Sequence, residues 1–182
     1  PWYAARIRFI SSKAERAVKV SRSSIARTVR EFKSNNDGSS AAISGTPVES
    51  VVTQVYVNGY PTALAGAVSG TALRVHLYES AADSAFIKGV DDAIKSVFPS
   101  AQTAFHTFPL IAYTVLRDIR DEENFTFVDA GGEVTDVAIV HRDSLRFLAS
   151  FPKGSLFFVR GVGGSIADAS SRISLYVRGD LS

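Results

Sequence analysis

Hydrophobic residues in the first part of the chain recur at two different spacings. Over residues 4–10, Ile7 and Phe9 alternate with arginines, and a second segment over 14–20 ends in valines around a lysine. Alternation at every second position predicts a β-strand for each segment. From about residue 22 to residue 34 the apolar positions follow a spacing of four and three, with basic residues between them. This spacing predicts an amphipathic helix whose basic side faces solvent.

Two further strands and a long helix are predicted in the middle of the chain. Residues 48–57 are rich in β-branched side chains, and residues 71–78 alternate between apolar side chains and an arginine, a histidine and a tyrosine. The residues Asn-Gly-Tyr-Pro at 58–61 favour a turn, so the two segments are predicted to pair as antiparallel strands. Apolar residues at helical spacing over 82–98 then predict an amphipathic helix that ends at Pro99.

The second half of the chain predicts a helix followed by a three-strand meander. A short strand over 102–106 precedes a mostly apolar helix that runs from Thr107 to about Arg120. The predicted strands of the meander are 125–129, 134–140 and 145–151. A helical segment broken by glycines follows, and a capping box then begins a last helix over about 165–178.

Composition excludes several kinds of chemistry. The 182 residues include no cysteine, so disulfides, thiolate metal sites and cysteine nucleophiles are excluded. The three histidines are scattered, which disfavours a zinc site. The longest apolar run, residues 108–116, is shorter than the roughly 18 residues that a membrane-spanning helix needs. We expect a cytoplasmic protein and, because the chain begins at Pro1 and contains no methionine, a piece of a longer one.

Basic residues are concentrated near the N-terminus. Residues 1–33 carry a net charge of +7, and the remaining residues carry −5. Such a segment is most often the solvated side of a helix, but it also suits nucleic acid, an anionic membrane or an acidic part of a neighbouring subunit. Nucleic acid is disfavoured because neither interleaved aromatic residues nor a known binding module accompanies the charge. Opposite charges in the two parts favour self-association, with Arg22, Arg27 and Arg30 as the candidate interaction residues.

Residues 128–136 (Val-Asp-Ala-Gly-Gly-Glu-Val-Thr-Asp) combine groups that can carry chemistry. Asp129 ends a strand that is apolar enough to be central, and Gly131 and Gly132 follow in the predicted turn. A carboxylate can hold a metal-bound water, and glycine N–H groups can approach phosphate oxygens closely. The pattern favours Mg²⁺-phosphate binding, but an ordinary β-hairpin with a glycine turn explains the same residues and is more common. The motifs of P-loop NTPases, serine hydrolases and zinc proteases are absent.

This hairpin resembles one in a known family. Residues 127–140, 144–145 and 151–154 are similar to the second phosphate-binding hairpin of the actin-like ATPase superfamily, in particular its FtsA/PilM-like members. The preceding strand, basic helix, strand, Asn-Gly-Tyr corner, strand and amphipathic helix resemble the inserted SHS2 domain of those proteins. The resemblance implies an α/β (α+β) fold, in which an SHS2-type strand–helix–strand–strand domain precedes part of an actin-like (ribonuclease H-like) subdomain with a β-meander and helix.

The resemblance also implies domain boundaries. The predicted parts are a connector from a preceding actin-like subdomain (1–13), the inserted domain (14–105), a linking helix and acidic loop (106–123) and the first half of the second actin-like subdomain (124–182). Family members carry a further phosphate loop near their N-terminus and an adenosine-binding loop after the hairpin. Neither occurs between Pro1 and Ser182, so we expect the chain to contribute only part of a nucleotide site.

Carried over to this sequence, the resemblance implies ATP and Mg²⁺ as cofactors. The cofactor-binding residues that it implies are Asp129, Gly131, Gly132, Glu133 and Thr135, with Asp129 beside the metal. The family usually has a third glycine where Glu133 stands and a threonine where Val134 stands. A carboxylate repels a triphosphate and valine donates no hydrogen bond, so the site is expected to be degenerate.

The implied function is that of a cytoskeletal or membrane-complex adaptor in bacterial cell division or pilus assembly. Its partners would be further copies of itself and other division or pilus-assembly proteins, with indirect association with the inner face of the membrane and no nucleic acid. Two alternatives stay open at this point. One is an active actin-like ATPase that hydrolyses Mg-ATP, and the other is a nucleotide-free αβ protein-interaction module.

Overall fold

The protein has a mixed α+β fold, as its sequence pattern predicts. The computed structural model describes residues 3–36, 43–62 and 68–162 and the single positions 167, 168, 171 and 174. Within these residues the strands are β1 (Tyr3–Val20), β2 (Thr46–Val57), β3 (Tyr60–Thr62), β4 (Val68–Ala82), β5 (Phe125–Ala130), β6 (Thr135–His141) and β7 (Ser144–Phe151). The helices are α1 (Arg22–Asn36), α2 (Ser84–Val97), α3 (Phe108–Ile119) and α4 (Ser155–Val162). The helix predicted over about 165–178 lies almost entirely outside the described residues.

Four strands form the first antiparallel sheet, in the order β1-β4-β2-β3. β1 pairs with β4 from Tyr3 opposite Ala82 to Val20 opposite Val68. The prediction of two separate strands over 4–10 and 14–20 is therefore wrong. The polar stretch between them stays in the strand because β4 supplies its hydrogen-bond partners, and a bulge after Lys13 is the interruption of the register.

The turn between β2 and β3 has the conformation that its sequence predicts. Asn58 and Gly59 have φ angles of 51° and 89°, which suit a two-residue hairpin. The side-chain oxygen of Asn58 accepts hydrogen bonds at 3.0 Å from the backbone N–H groups of Thr71 and Ala72, which ties the corner to β4. The predicted antiparallel pairing of β2 with β4 is confirmed. β3 was not predicted because three residues are too few to show a periodicity.

Helix α1 covers one face of this sheet. Its apolar side carries Ile25, Val29 and Phe32, at the spacing that predicted the helix, and packs against β1, β2 and β4. The buried residues of this first core are Ile10, Val20, Ile25, Val55, Val57, Val75 and Leu77. The opposite side of α1 is exposed and carries Arg27 and Arg30, and Arg22 is exposed at the first residue of the helix.

The second sheet is the predicted meander, in the order β5-β6-β7, and it packs on the other face of the first sheet together with α3. The buried residues of this second core are Tyr78, Leu110, Tyr113, Ala138, Val140 and Leu145. Ala5 and Ile7 of β1 pack against them. The first sheet is therefore the middle layer between α1 and the meander, and the second core lies between the two sheets.

Helix α2 and the segment that follows it pack less closely than the other elements. α2 begins where predicted, with the side chain of Asp83 accepting a hydrogen bond at 2.8 Å from the N–H group of Phe86, and none of its residues is buried. The strand predicted over 102–106 does not form. Its periodicity suits a strand, but none of the described strands pairs with it through backbone hydrogen bonds.

A buried carboxylate holds the end of this segment. The side chain of Glu49 on β2 accepts hydrogen bonds from the backbone N–H group of Thr107 at 3.1 Å, from Nδ1 of His106 at 3.1 Å and from Oγ of Ser80 at 3.0 Å. The hydroxyl of Thr107 donates to the same carboxylate and lies 2.6 Å from the hydroxyl of Tyr78. These contacts fix the residue that precedes α3, and so they position α3 against the second core.

His76 is buried between the two sheets. Its Nδ1 atom lies 2.8 Å from Oγ of Ser144 on β7, and the rings of Phe9 and Tyr56 lie 4.6 Å and 4.9 Å from its ring. Burial lowers the pKa of His76 from 6.5 to about 4, with a further contribution from the positive charges of two nearby arginines. The folded protein therefore keeps this side chain neutral over a pH range in which the unfolded chain protonates it.

The free energy of unfolding should consequently fall as the pH is lowered. The unfolded state binds a proton at His76 between pH 7 and pH 5 and the folded state does not, so stability should decrease by about 2 kcal/mol over this range. Urea unfolding at a series of pH values measures the change. His76→Gln should remove most of this pH dependence, whereas substitution of the exposed His141 by glutamine should retain it. Equal pH dependence in the His76→Gln variant and the native protein would contradict the assignment.

Candidate functional site

The predicted phosphate hairpin lies at the turn between β5 and β6. Asp129 pairs with Asp136 across the two strands, and Ala130 with Thr135 forms the last pair before the loop 131–134. Directly opposite residues of an antiparallel pair lie on the same face of the sheet, so the two carboxylates share the face that meets the first sheet. Asp136 is buried there, whereas Asp129 is half-buried.

Asp136 is fully engaged in hydrogen bonds. The hydroxyl of Tyr3 donates to one of its oxygens, and Oγ of Ser150 donates to the other at 2.5 Å. Burial of the phenol and its hydrogen bond to Asp136 raise the pKa of Tyr3, which therefore remains a donor. Asp136 links the two sheets. Asp129 is the carboxylate of this pair that a ligand at the loop can use.

The two glycines of the loop contact the beginning of α4 through their carbonyl groups. The oxygen of Gly131 accepts hydrogen bonds from the backbone N–H of Ser155 at 2.8 Å and from its hydroxyl at 3.1 Å. The oxygen of Gly132 accepts from the N–H of Leu156 at 2.9 Å. The first N–H groups of a helix have no acceptor within the helix, so the hairpin loop caps α4. The described residues form several backbone hydrogen bonds outside helices and strands, and the N–H groups of loop 131–134 donate none of these.

Close approach of the backbones explains the glycines. A Cβ atom at Gly154 would lie 2.3 Å and 2.4 Å from the oxygens of Gly131 and Gly132, and a Cβ at Gly131 would lie 3.0 Å from the oxygen of Val134. A Cβ at Gly132 would make ordinary contact, at 3.4 Å, with the side chain of Leu156. Gly154 is therefore required by packing, a methyl group at Gly131 would make a tight contact with the Val134 carbonyl, and the structure tolerates a methyl group at Gly132.

Glu133, the acidic residue of the loop, has a basic partner. Glu133 forms a two-pronged ion pair with Arg160 of α4, with N–O distances of 2.5 Å and 3.1 Å. This hydrogen bonding raises the pKa of Arg160. Sequence reasoning identified Glu133 as an uncompensated negative charge and missed Arg160. Arg160 lies 27 residues away in a short helix, and no local pattern indicates the contact.

The remaining predicted residue, Thr135, supports the loop from the other side. Its hydroxyl donates a hydrogen bond at 2.7 Å to the backbone oxygen of Lys153, just before Gly154. The ammonium group of Lys153 lies 4.8 Å from the centre of the Phe157 ring, in the geometry of a cation–π contact. Thr135 thus fixes the path of the chain between β7 and α4.

The hairpin offers few protein ligands for a magnesium ion bound together with phosphate. The described residues contain no group of three or more histidine, aspartate or glutamate side chains that could hold a metal ion by themselves. Mg²⁺ differs from other metals in commonly taking only one or two carboxylates, with phosphates and water as its other ligands. Asp129 and the N–H groups of the loop fit that arrangement.

The predicted interaction surface is on α1. Arg22, Arg27 and Arg30 are all exposed, and Arg27 makes a 3.8 Å contact with Glu31 in the next turn. Among the described residues neither Arg22 nor Arg30 forms an ion pair. The exposed half of β1, which precedes α1 along the chain, adds further basic residues, Lys13, Arg16 and Lys19.

Neither the models of known protein families nor the sequences of curated proteins match this chain. Among the described residues, no helix combines the length and the apolar character needed to cross a membrane. Assignment of a function therefore depends on the geometry of the hairpin and on the resemblance of its sequence.

Proposed function

We propose that this chain is part of an FtsA/PilM-like protein of the actin-like ATPase superfamily, acting as a cytoskeletal or membrane-complex adaptor that binds Mg-ATP. The observation that carries the proposal is the hairpin 129–135. The carbonyl groups of its two glycines accept hydrogen bonds from α4. The N–H groups of its loop donate none of the backbone hydrogen bonds that the described residues form outside helices and strands. The partly exposed carboxylate of Asp129 lies at its base. This combination suits a phosphate group held by backbone donors.

The order of the elements supports the same proposal. β1, α1, β2 and β4 follow each other as strand, helix, strand and strand, and α2 follows β4. This is the order of the inserted SHS2 domain. In this proposal α3 and the meander β5-β6-β7 would form the beginning of the second actin-like subdomain, with the hairpin between its first two strands.

The residues of the hairpin have separate roles in this proposal. Asp129 would hold the magnesium ion through a water molecule, and the loop from Gly131 to Val134 would donate N–H groups to the phosphates. Thr135 holds the loop against Lys153 and does not itself need to contact a ligand. When bound, ATP with its magnesium ion would supply the negative charge and the oxygens that these groups recognise.

Assembly of the adaptor would use the basic surface formed by α1 and the exposed half of β1. Arg22, Arg27 and Arg30 are all exposed on α1, whereas residues 34–182 carry the net negative charge. Attraction between opposite charges on successive copies orients them head to tail. The exposed acidic residues Asp121, Glu122 and Glu123, before β5, are the part of the described chain that best fits this role.

Titration of the full-length protein with Mg-ATP in a calorimeter tests the nucleotide assignment. The native protein should bind, and Asp129→Ala should weaken binding at least about tenfold because it removes the only partly exposed carboxylate of the strand pair. Asp118→Ala, on the exposed side of α3, is the matched control and should bind like the native protein. Absence of binding, or binding that is indifferent to Asp129, rejects the nucleotide assignment and leaves a nucleotide-free interaction module.

Sedimentation of the same protein tests the assembly. Reversal of charge at Arg22, Arg27 and Arg30 to glutamate should abolish polymers, and added salt should weaken assembly of the native protein because it screens exposed charges. Lys88→Glu with Lys95→Glu, on α2, is the control for a general change of charge. Assembly unchanged by the α1 reversal would reject the proposed surface.

A further inference from the structure

The ion pair between Arg160 and Glu133 lies beside the donors of the hairpin loop. α4 is docked on this loop by the hydrogen bonds to Gly131 and Gly132, and Gly154 permits a backbone approach that no other residue would allow. Arg160 follows the first of these bonded residues by five positions, between one and two turns along the helix. The guanidinium is therefore attached to the loop through a short, well-defined helical segment.

Arg160 has more hydrogen-bond donors than its pair with Glu133 uses. A guanidinium carries five N–H donors in a planar fork, and the pair with Glu133 uses its two terminal nitrogens. Both side chains are largely exposed, at 66% and 60%. Because a solvent-exposed ion pair is weak, exchange of one anionic partner for another at this position costs little free energy. Bidentate binding of a phosphate is the chemistry for which this fork is best suited.

The electrostatics of the loop require such a group. Two carboxylates, Asp129 and Glu133, flank the loop, and a polyphosphate would add several negative charges to the same small region. Val134 offers no hydroxyl donor there. The ammonium of Lys153 lies against the Phe157 ring. Arg160 is thus a cation that is hydrogen-bonded to the loop through Glu133. It can bind a ligand by exchanging the carboxylate of Glu133 for a phosphate group.

We propose that Arg160 is the phosphate-binding cation of this hairpin and that Glu133 is its partner until a polyphosphate displaces the carboxylate. This inference rests on the proposed function, since it names the group through which the same hairpin recognises its ligand. It gives the two departures from the family pattern one explanation. Glu133 pairs with the guanidinium when no ligand is bound, and the guanidinium supplies the donor that Val134 lacks.

Titration of the full-length protein with two probes, Mg-ATP and magnesium tripolyphosphate, tests the inference. Arg160→Gln should weaken binding of both probes about tenfold, because it removes charge-assisted hydrogen bonds to the phosphates. Arg160→Lys should give an intermediate loss, since lysine keeps the charge without the fork. Glu133→Gln should strengthen binding about threefold, because the competing carboxylate is gone. Arg120→Gln removes an equivalent exposed pair, with Glu122 at the far end of β5, and should change nothing.

The outcomes separate this inference from the proposed function. If the native protein binds Mg-ATP in a manner that depends on Asp129 but Arg160→Gln binds equally well, the role of Arg160 is rejected and the proposed function stands. If the native protein binds neither probe, both are rejected. A thermal unfolding curve for each variant accompanies the titration. A loss of affinity in Arg160→Gln together with unchanged unfolding and a gain in Glu133→Gln is the result expected from displacement of the carboxylate.

Discussion

Replacement of Gly154 by alanine should destabilise the protein by about 3 kcal/mol. The new Cβ atom would lie 2.3 Å and 2.4 Å from the carbonyl oxygens of Gly131 and Gly132, well inside van der Waals contact. These are backbone atoms, so the overlap is relieved only when α4 moves away from the loop. The N–H groups of Ser155 and Leu156 then lose their acceptors. Urea unfolding of the native protein and the variant measures the difference.

Two other glycines provide the controls for this substitution. A methyl group added at Gly89 in α2 would have no atom within 4 Å. Because alanine is favoured over glycine in helices, Gly89→Ala should increase the free energy of unfolding by about 0.5–1 kcal/mol. Gly132→Ala places its methyl group in ordinary contact with Leu156 and should stay within about 0.5 kcal/mol of the native protein. A Gly154→Ala variant as stable as the native protein would show that α4 is not docked on the loop.

Replacement of Glu49 by alanine should also cost about 3 kcal/mol. Its side chain is 5% exposed, and its carboxylate accepts hydrogen bonds from Ser80, His106 and two groups of Thr107. Truncation leaves the buried donors among them without an acceptor. It also releases the residue that precedes α3, the helix that contributes Leu110 and Tyr113 to the core shared by the two sheets.

The size of the Glu49 effect is best judged against two smaller changes. Ser80→Ala removes one of the four donors and should cost about 1 kcal/mol. Glu31→Ala removes an exposed glutamate on α1, whose contact with Arg27 is 3.8 Å long, and should leave stability unchanged. If Glu49→Ala costs no more than Ser80→Ala in urea unfolding, the carboxylate does not organise the start of α3.

Elements with a strong local pattern were predictable from sequence. The helical spacing of Ile25, Val29 and Phe32 indicated α1, and the Asn-Gly pair at 58–59 indicated a turn with two positive φ angles. The meander followed from three apolar segments of suitable length separated by short turns. Each of these patterns is contained within a few residues, so the sequence around it is sufficient.

Features that depend on distant partners were not predictable. Whether 102–106 becomes a strand depends on backbone pairing with another strand, and none of the described strands pairs with it. The continuity of β1 through its polar middle depends on β4, a strand that lies far along the chain. At the hairpin, sequence reasoning found Asp129 and the glycines because they are adjacent. It missed Arg160 because a helix brings it to Glu133 from 27 residues away.

The pairing of β1 sets the order in which the chain can fold. β1 pairs with β4, and the hydroxyl of Tyr3 donates a hydrogen bond to Asp136. Because both partners lie much later in the chain, the ribosome synthesises β1 well before the segments with which it pairs. Contacts so distant in sequence form slowly, and we expect β2, β3 and β4 to associate before β1 joins them. During this delay β1 is an unpaired strand that other chains could join. Its basic residues Lys13, Arg16 and Lys19 repel an identical strand and thereby protect the newly made chain from aggregation.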